Sequence, residues 1–336
     1  MPFLTKKTGD AENSALLHSS LGTSTEWAWR DDEYKPSKST AGLGGVEASS
    51  PSLIRAQHRG LCANPACTNG WTRPWRSRRR PIFEGQWGCS GRCVLTMTRA
   101  AVRRELGAGG AFSLEPHRHR VPLGLMMLAQ GWITHPQLQR ALAAQRENGT
   151  GRIGDWLISE CGLDPEQVVR GLSLQWGCPV LTTEGFSPEA MALVVPKLFV
   201  EQFGLLPLRV AGSRILYLGF ADRLDASSAL ATEQMTELKV ESGVVESVQF
   251  EVARKKLLAH DGVEAKLETV DDKDRMAARI TAILEQKQPV ASRLVRLHQY
   301  YWLRIWLESG SLSKSGSLPA TGEDVMDYVF TVAAPE

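Results

Sequence analysis

The feature that most constrains this 336-residue chain is an internal repetition in its middle. Residues 122–145, PLGLMMLAQGWITHPQLQRALAAQ, align without a gap to residues 152–175, RIGDWLISECGLDPEQVVRGLSLQ, at an offset of 30. Leu123 matches Ile153, Gly124 matches Gly154, Leu128 matches Ile158, Leu142 matches Leu172 and Gln145 matches Gln175. A unit this short cannot bury its own apolar face, so two copies must pack against each other. Each copy reads as a short helix, a turn and a longer helix. Asp164 is a good N-cap and Pro165 a good first helical residue, with Thr134, His135 and Pro136 as a weaker equivalent. Leu138, Ala141 and Leu142, then Val168, Gly171 and Leu172, keep helical spacing. Gly124 and Gly154, lacking Cβ, would let a backbone or a flat ring approach closely.

Downstream the pattern changes. LLPLRV and RILYLGF, separated by Ala211, Gly212 and Ser213, predict a hairpin. Helical stretches at 226–236 and 246–259 flank a short strand, ELKVE, which together predict a small α/β sandwich. Residues 273–308 predict one or two amphipathic helices interrupted near Pro289, with Leu297, Tyr301, Trp302, Ile305 and Trp306 on broad apolar faces. DYVFTVA is a last strand. The fold class expected is α+β. Its parts are a disordered tail over 1–54, a zinc module over 55–107, a helical tandem-motif subdomain over 118–181, an α/β subdomain over 182–260 and C-terminal amphipathic helices with a tail over 273–336.

The doubled pattern L/I-G-x-x-L-V/I, a turn, then L-x-x-A/G-L-x-x-Q resembles the N-terminal domain of type II secretion and type IV pilus assembly ATPases, the MshEN-type family. CPVL after the second copy and VPKLFVEQFGLLPLRVAGSRILYLGFADRLD continue the resemblance, which covers roughly residues 120–260. It implies a cyclic di-GMP site in which apolar side chains hold bases and ribose while Arg and backbone amides meet the phosphates. Carried over, copy one offers Leu123, Gly124, Leu128, Leu142 and Gln145, with Arg120 standing in because Pro122 occupies the leading arginine position. Copy two offers Arg152, Ile153, Gly154, Ile158, Leu172 and Gln175. Secretion or pilus machinery proteins are the implied partners. No G-x-x-x-x-G-K-[ST] loop accompanies the motif, so a Walker-type activity is not expected. Gly149, Gly151 and Gly154 spell G-x-G-x-x-G, but a helical repeat rather than a strand precedes them.

Four of the six cysteines precede the repeat. Cys62 and Cys67 are spaced C-x4-C, Cys89 and Cys93 C-x3-C, with 21 residues between the pairs. Two close thiol pairs suit tetrahedral Zn²⁺; unliganded cysteines or a redox pair are the alternatives, and His58 could replace one ligand. Cys161 and Cys178 read as small buried residues. Charge is uneven: residues 55–120 hold 13 Arg, no Lys and three acids, a net of +10, in a chain whose formal total is +2. That block, with WTRPWRSRRR at its centre and Arg103 and Arg104 extending it, would dock on the acidic remainder, meet a protein partner or contact nucleic acid. Trp27 and Trp29 stand alone in a Ser/Gly-rich tail too poor in apolar surface to order itself. No run approaches the roughly 18 apolar residues of a membrane span, and MPFLTKKTGDAENS lacks a secretory apolar core. The expectation is a cytoplasmic, non-enzymatic regulatory or adaptor protein; the alternative is a zinc-dependent nucleic-acid-binding protein using the Arg-rich cysteine module.

Overall fold

A computed structural model describes residues 62–68, 82–111, 120–212, 214–307, 318–319, 321–323 and 325–333. The expected disordered tail, with Trp27 and Trp29, and the arginines at 73–80 lie outside the described residues.

The first elements of the described residues are a minimal hairpin, β1 (Ile82–Phe83) and β2 (Gln86–Trp87), followed by α1 (Gly91–Ala111). Glu84 and Gly85 both take positive φ in the two-residue turn, which suits the right-handed twist of the pair. The repeat then supplies α2 (Leu123–Ala129), α3 (His135–Asn148), α4 (Ile153–Cys161) and α5 (Pro165–Trp176). Both long helices start on the residues the sequence nominates. Asp164 accepts from Glu166 N, yet the stronger start is Thr134, which forms a full capping box with Gln137. Equivalent residues are buried in each copy: Met127 and Leu157, Ile133 and Leu163, Leu138 and Val168 share one core.

After α5 come α6 (Pro188–Met191), α7 (Lys197–Phe203), β3 (Leu205–Ala211), β4 (Ile215–Phe220), α8 (Ala226–Thr236), β5 (Lys239–Val244) and α9 (Ser247–Ala259). The predicted hairpin is β3–β4, and β5 joins β4 in parallel after the α8 crossover. The final segment is β6 (Glu264–Val270), α10 (Lys273–Lys287), β7 (Ala291–Leu297), β8 (Tyr300–Trp306) and β9 (Val325–Val332), a four-stranded sheet in the order β6-β9-β8-β7.

Helices and sheets together agree with the α+β expectation, but of the one or two helices expected over residues 273–308 the described residues form one, and the C-terminal amphipathic helices expected beyond it are strands. Residues 291–306 are the antiparallel β7–β8 pair, and only α10 is helical. Both faces of the β7–β8 pair are covered. Tyr301, Leu303 and Ile305 meet α1 and α10, while Tyr300, Trp302 and Trp306 join the core shared with the α/β segment. All seven β8 residues are buried, so no polar alternation marks the strand. The turn residue His298 takes φ +53, which a helix would not allow.

The cysteine-bearing segment rests on this same sheet. Thr98 on α1 hydrogen-bonds Thr281 on α10 at 2.9 Å, and Ser292 Oγ on β7 donates to the Ile82 carbonyl at 2.7 Å. The first and last described segments thus close into one layer pair, with the repeat and the three-stranded sheet between them in sequence.

Candidate functional site

The two copies are fastened reciprocally. Gln145 Nε2 donates to the Gly151 carbonyl at 2.9 Å, just before copy two. Gln175 Nε2 donates to the Val121 carbonyl at 2.8 Å, just before copy one. Donors and acceptors are both thirty positions apart, as a pseudo-two-fold exchange requires. The glycines serve packing within each copy. A Cβ on Gly124 would lie 2.5 Å from Leu138 Cδ1, and one on Gly154 would lie 2.7 Å from Val168 Cγ1. Each glycine thus lets the following helix of its own copy approach closely, and Gly154 also lines the groove described next.

A groove of about 300 Å³ runs between α4–α5, the β4–α8 turn and the start of α9. Leu123, Arg152, Ile153, Gly154, Ile158, Leu172 and Gln175 line it. Leu123 is the sole copy-one residue among these, whereas Gly124, Leu128, Leu142 and Gln145 do not line it. Leu128 and Leu142 pack partly buried against the repeat core instead. Arg120 lines an adjoining cavity of about 850 Å³ that shares Arg152, Trp176, Asp222 and Arg223 with the groove. Its guanidinium lies 3.5 Å from the Trp176 ring centroid, and one of its terminal nitrogens is buried without a hydrogen-bond partner.

Other residues line the groove that the motif did not nominate as ligand contacts, and Trp176, Asp222 and Arg223 are the ones with stacking or charged groups nearest Arg152 and Arg120. Asp222 pairs with Arg152 Nε at 3.1 Å across the groove. Trp176 directly follows the closing Gln of copy two, and the ADRLD turn was visible as a motif, but their convergence is tertiary. Asp225, the last residue of that turn, caps α8 through Ser227 N and Ser228 N and accepts from His298 Nε2 at 2.6 Å. Burial raises the Asp225 carboxyl, but hydrogen bonds from His298 and Ser228 outweigh it and hold the group below the usual carboxylate value.

The four cysteines converge. Cys62, Cys67, Cys89 and Cys93 place their sulfurs within 4.8 Å of one another, two from the 62–67 loop, one from the turn just before α1 and one from its first turn. Cys67 and Cys89 Sγ are 3.4 Å apart, and Cys89 and Cys93 Sγ 3.5 Å. A tetrahedral ion with metal–sulfur bonds of about 2.3 Å needs sulfur–sulfur edges of about 3.8 Å, so this donor set fits such an ion with small adjustment. Burial opposes ionisation of Cys93, but hydrogen bonds from Asn64 and Ser90 and the neighbouring thiols bring it down to about 6. The Cys89 backbone N–H already donates to Cys62 Sγ at 3.3 Å, the kind of outer contact that steadies a thiolate ligand. Cys161 and Cys178 are half-buried rather than buried, and Cys161 Sγ donates to the Gln137 carbonyl. On α1, Arg104 binds both Glu84 oxygens at 2.7 Å and Arg99 binds Asp274 at 2.9 Å, so both basic side chains meet acids of the same fold.

No family profile and no curated protein matches the chain. Among solved structures it is similar to one described as MshE with cdg, at 26% identity over 41% of this chain and 99% of that one, with a TM-score of 0.34. It is also similar to the N-terminal domain of XpsE in two crystal forms, at 20% and 21% identity over 40% and 39% of this chain. Those matches cover 92% and 90% of the XpsE chains, with TM-scores of 0.29 and 0.24. Among the described residues, no helix is long and apolar enough to cross a membrane.

Proposed function

We propose that the chain is a non-enzymatic regulatory or adaptor protein of the cytoplasm. In this reading the groove beside copy two receives cyclic di-GMP, and the protein serves secretion or pilus machinery. The observation that carries the reading is the convergence of Arg152, Gln175, Trp176 and Asp222 on one groove floored by Leu123, Ile153, Ile158 and Leu172. A flat base stacks on an indole and an aliphatic floor. Arg152 and Arg223 bring guanidinium forks for phosphate oxygens, and the Asp222 carboxylate accepts from base N–H groups. The non-enzymatic part of the reading rests on the sequence, in which no Ser/His/Asp set or carboxylate pair stands at a recognisable catalytic spacing. Secretion or pilus machinery follows from the resemblance of the doubled motif.

We also assign the cysteine cluster to a structural Zn²⁺ held by Cys62, Cys67, Cys89 and Cys93, which would clamp the 62–67 loop to α1. Metal analysis of purified protein then gives about one equivalent, and less than half an equivalent refutes the assignment.

Titration calorimetry with cyclic di-GMP tests the ligand. The expected result is saturable heat that weakens by roughly 10–100-fold in Arg152→Ala, the loss of one charge-assisted contact. No heat, or heat unchanged by that substitution, overturns the reading. The nucleotide recovered after prolonged incubation should be intact by mass spectrometry; a product would overturn the non-enzymatic part.

A further inference from the structure

We propose that the chain forms a two-fold dimer by pairing β6 with β6 of a second copy, making one continuous eight-stranded sheet. Among the described residues, β6 is the end strand of the four-stranded sheet and is bonded to β9 on one side only. It is the most exposed strand of that sheet, with burial confined to Glu268 and Val270, and Leu267 stands 59% exposed on it. The Val270 carbonyl accepts from Ala333 N at 2.9 Å, so its backbone groups face β9. Alternation in a parallel ladder turns Glu264, Lys266 and Glu268 the same way. The N–H and C=O groups of Ala265, Leu267 and Thr269 therefore face the open side.

That outward set is symmetric about Leu267. Antiparallel pairing centred there lets Leu267 exchange both bonds with Leu267 of the second copy, and Ala265 exchange both with Thr269 of the second copy. Every outward backbone group of the strand is then used. The side chains select the same register. Lys266 falls opposite Glu268 of the second copy, and Glu268 opposite its Lys266, while the two exposed leucines meet on one face. Centring on Lys266 sets lysine on lysine and Glu264 on Glu268; centring on Glu268 sets glutamate on glutamate. Shifts to Ala265 or Thr269 leave most of the strand unpaired. Charges on an edge normally deter pairing, and here they oppose the two next-longest registers and favour the one that pairs the whole strand. Glu268 is already oriented by two 2.7 Å bonds from Arg279 on α10, which leaves lone pairs on the same carboxylate for an incoming lysine. The interface is isologous and closes on itself, so it makes a dimer and not a filament.

The full chain should show a reversible monomer–dimer equilibrium by sedimentation velocity between about 1 and 200 µM. Lys266→Glu, which leaves the Glu268–Arg279 pair intact, opposes like charges twice and should weaken the dimer about tenfold or more. Glu268→Lys does the same. An equimolar mixture of the two variants should restore association, because each variant then meets opposite charges; circular dichroism melts report whether each remains folded. A chain that stays monomeric throughout overturns the proposal, as does a dimer that Lys266→Glu leaves unchanged. If instead a different protein's strand occupies this edge, the purified chain is monomeric and the proposal fails in the same way.

Discussion

Arg304 and Asp327 face each other across β8 and β9 and are both wholly buried, which makes Asp327→Ala a severe test of how this fold is held. Asp327 Oδ1 accepts from Arg304 Nε and from Trp302 Nε1, each at 2.8 Å, and Oδ2 accepts from Arg304 Nη2 at 2.7 Å. The remaining arm, Nη1, donates to the Val194 carbonyl at 3.0 Å, tying the sheet to the segment between α6 and α7. Removing the carboxylate leaves three donors unanswered and a guanidinium charge with no water to receive it. A buried pair broken on one side costs about 3–5 kcal/mol, which for a domain of this size lowers the melting temperature by roughly 6–20 °C. The control is Arg304→Met combined with Asp327→Leu. That double variant removes both charges and leaves two neutral groups orphaned, the Trp302 N–H and the Val194 carbonyl, at a cost of about 1–3 kcal/mol each. Urea titration of the zinc-loaded chain, read by tryptophan fluorescence, gives both values. A loss under about 1 kcal/mol for Asp327→Ala, or a double variant less stable than the single one, would refute the argument that an uncompensated charge is the dominant penalty.

Three further outcomes follow from the same geometry. Gly154→Ala drives a methyl group to 2.7 Å from Val168 Cγ1 and should cost about 1–3 kcal/mol in thermal melts, relieved when Val168→Ala is added. An unrelieved loss would mean that the helix backbone, not packing, is the constraint. Cys93→Ser should lower bound zinc well below one equivalent and lower the melting temperature, because α1 loses its anchor; an unchanged metal content refutes the ligand set. Asp225 is held below its ordinary value, so its contribution is complete above about pH 4 and is lost as pH falls through the lower folded value. Asp225→Asn should therefore flatten the acid side of a stability–pH profile, and an unaltered acid side would deny that this carboxylate is favourably held.

The repeat was legible because its constraint is local. A Cβ clash between residues fourteen apart, Gly124 with Leu138 and Gly154 with Val168, writes itself twice at the same spacing. What the glycines were for was not legible, since sequence shows that space is needed but not what fills it. The β7–β8 hairpin was hidden by its own burial: a strand covered on both faces loses its period of two and reads like a buried helix. The cysteine spacing announced a cluster. The docking of α1 on α10 carries no local signature, because Thr98 and Thr281 are 183 residues apart. Asp222 is the same case in the groove; its turn was recognisable, its pairing with Arg152 was not.

Duplication and asymmetry coexist in this site, and the departure at Pro122 explains how. The reciprocal Gln145 and Gln175 bonds hold the lead-in of each copy alike, so the backbone has kept its pseudo-two-fold course. The side chains have not. At the lead-in of copy two stands Arg152, free to reach Asp222; at that of copy one stands Pro122, whose fixed φ starts α2 and which has no charge to offer. The nearest arginine, Arg120, lies against Trp176 at the end of copy two, and neither position has a like residue thirty away: Thr150 and Arg146 stand there. Both guanidinium groups are thus gathered at one end of the repeat, beside the β4–α8 turn. A two-fold ligand placed there would meet unlike surroundings on its two halves, one from copy two and the other from the turn with Asp222 and Arg223. In this chain the repeat builds the frame, and the groove is completed by the α/β segment rather than by the first copy.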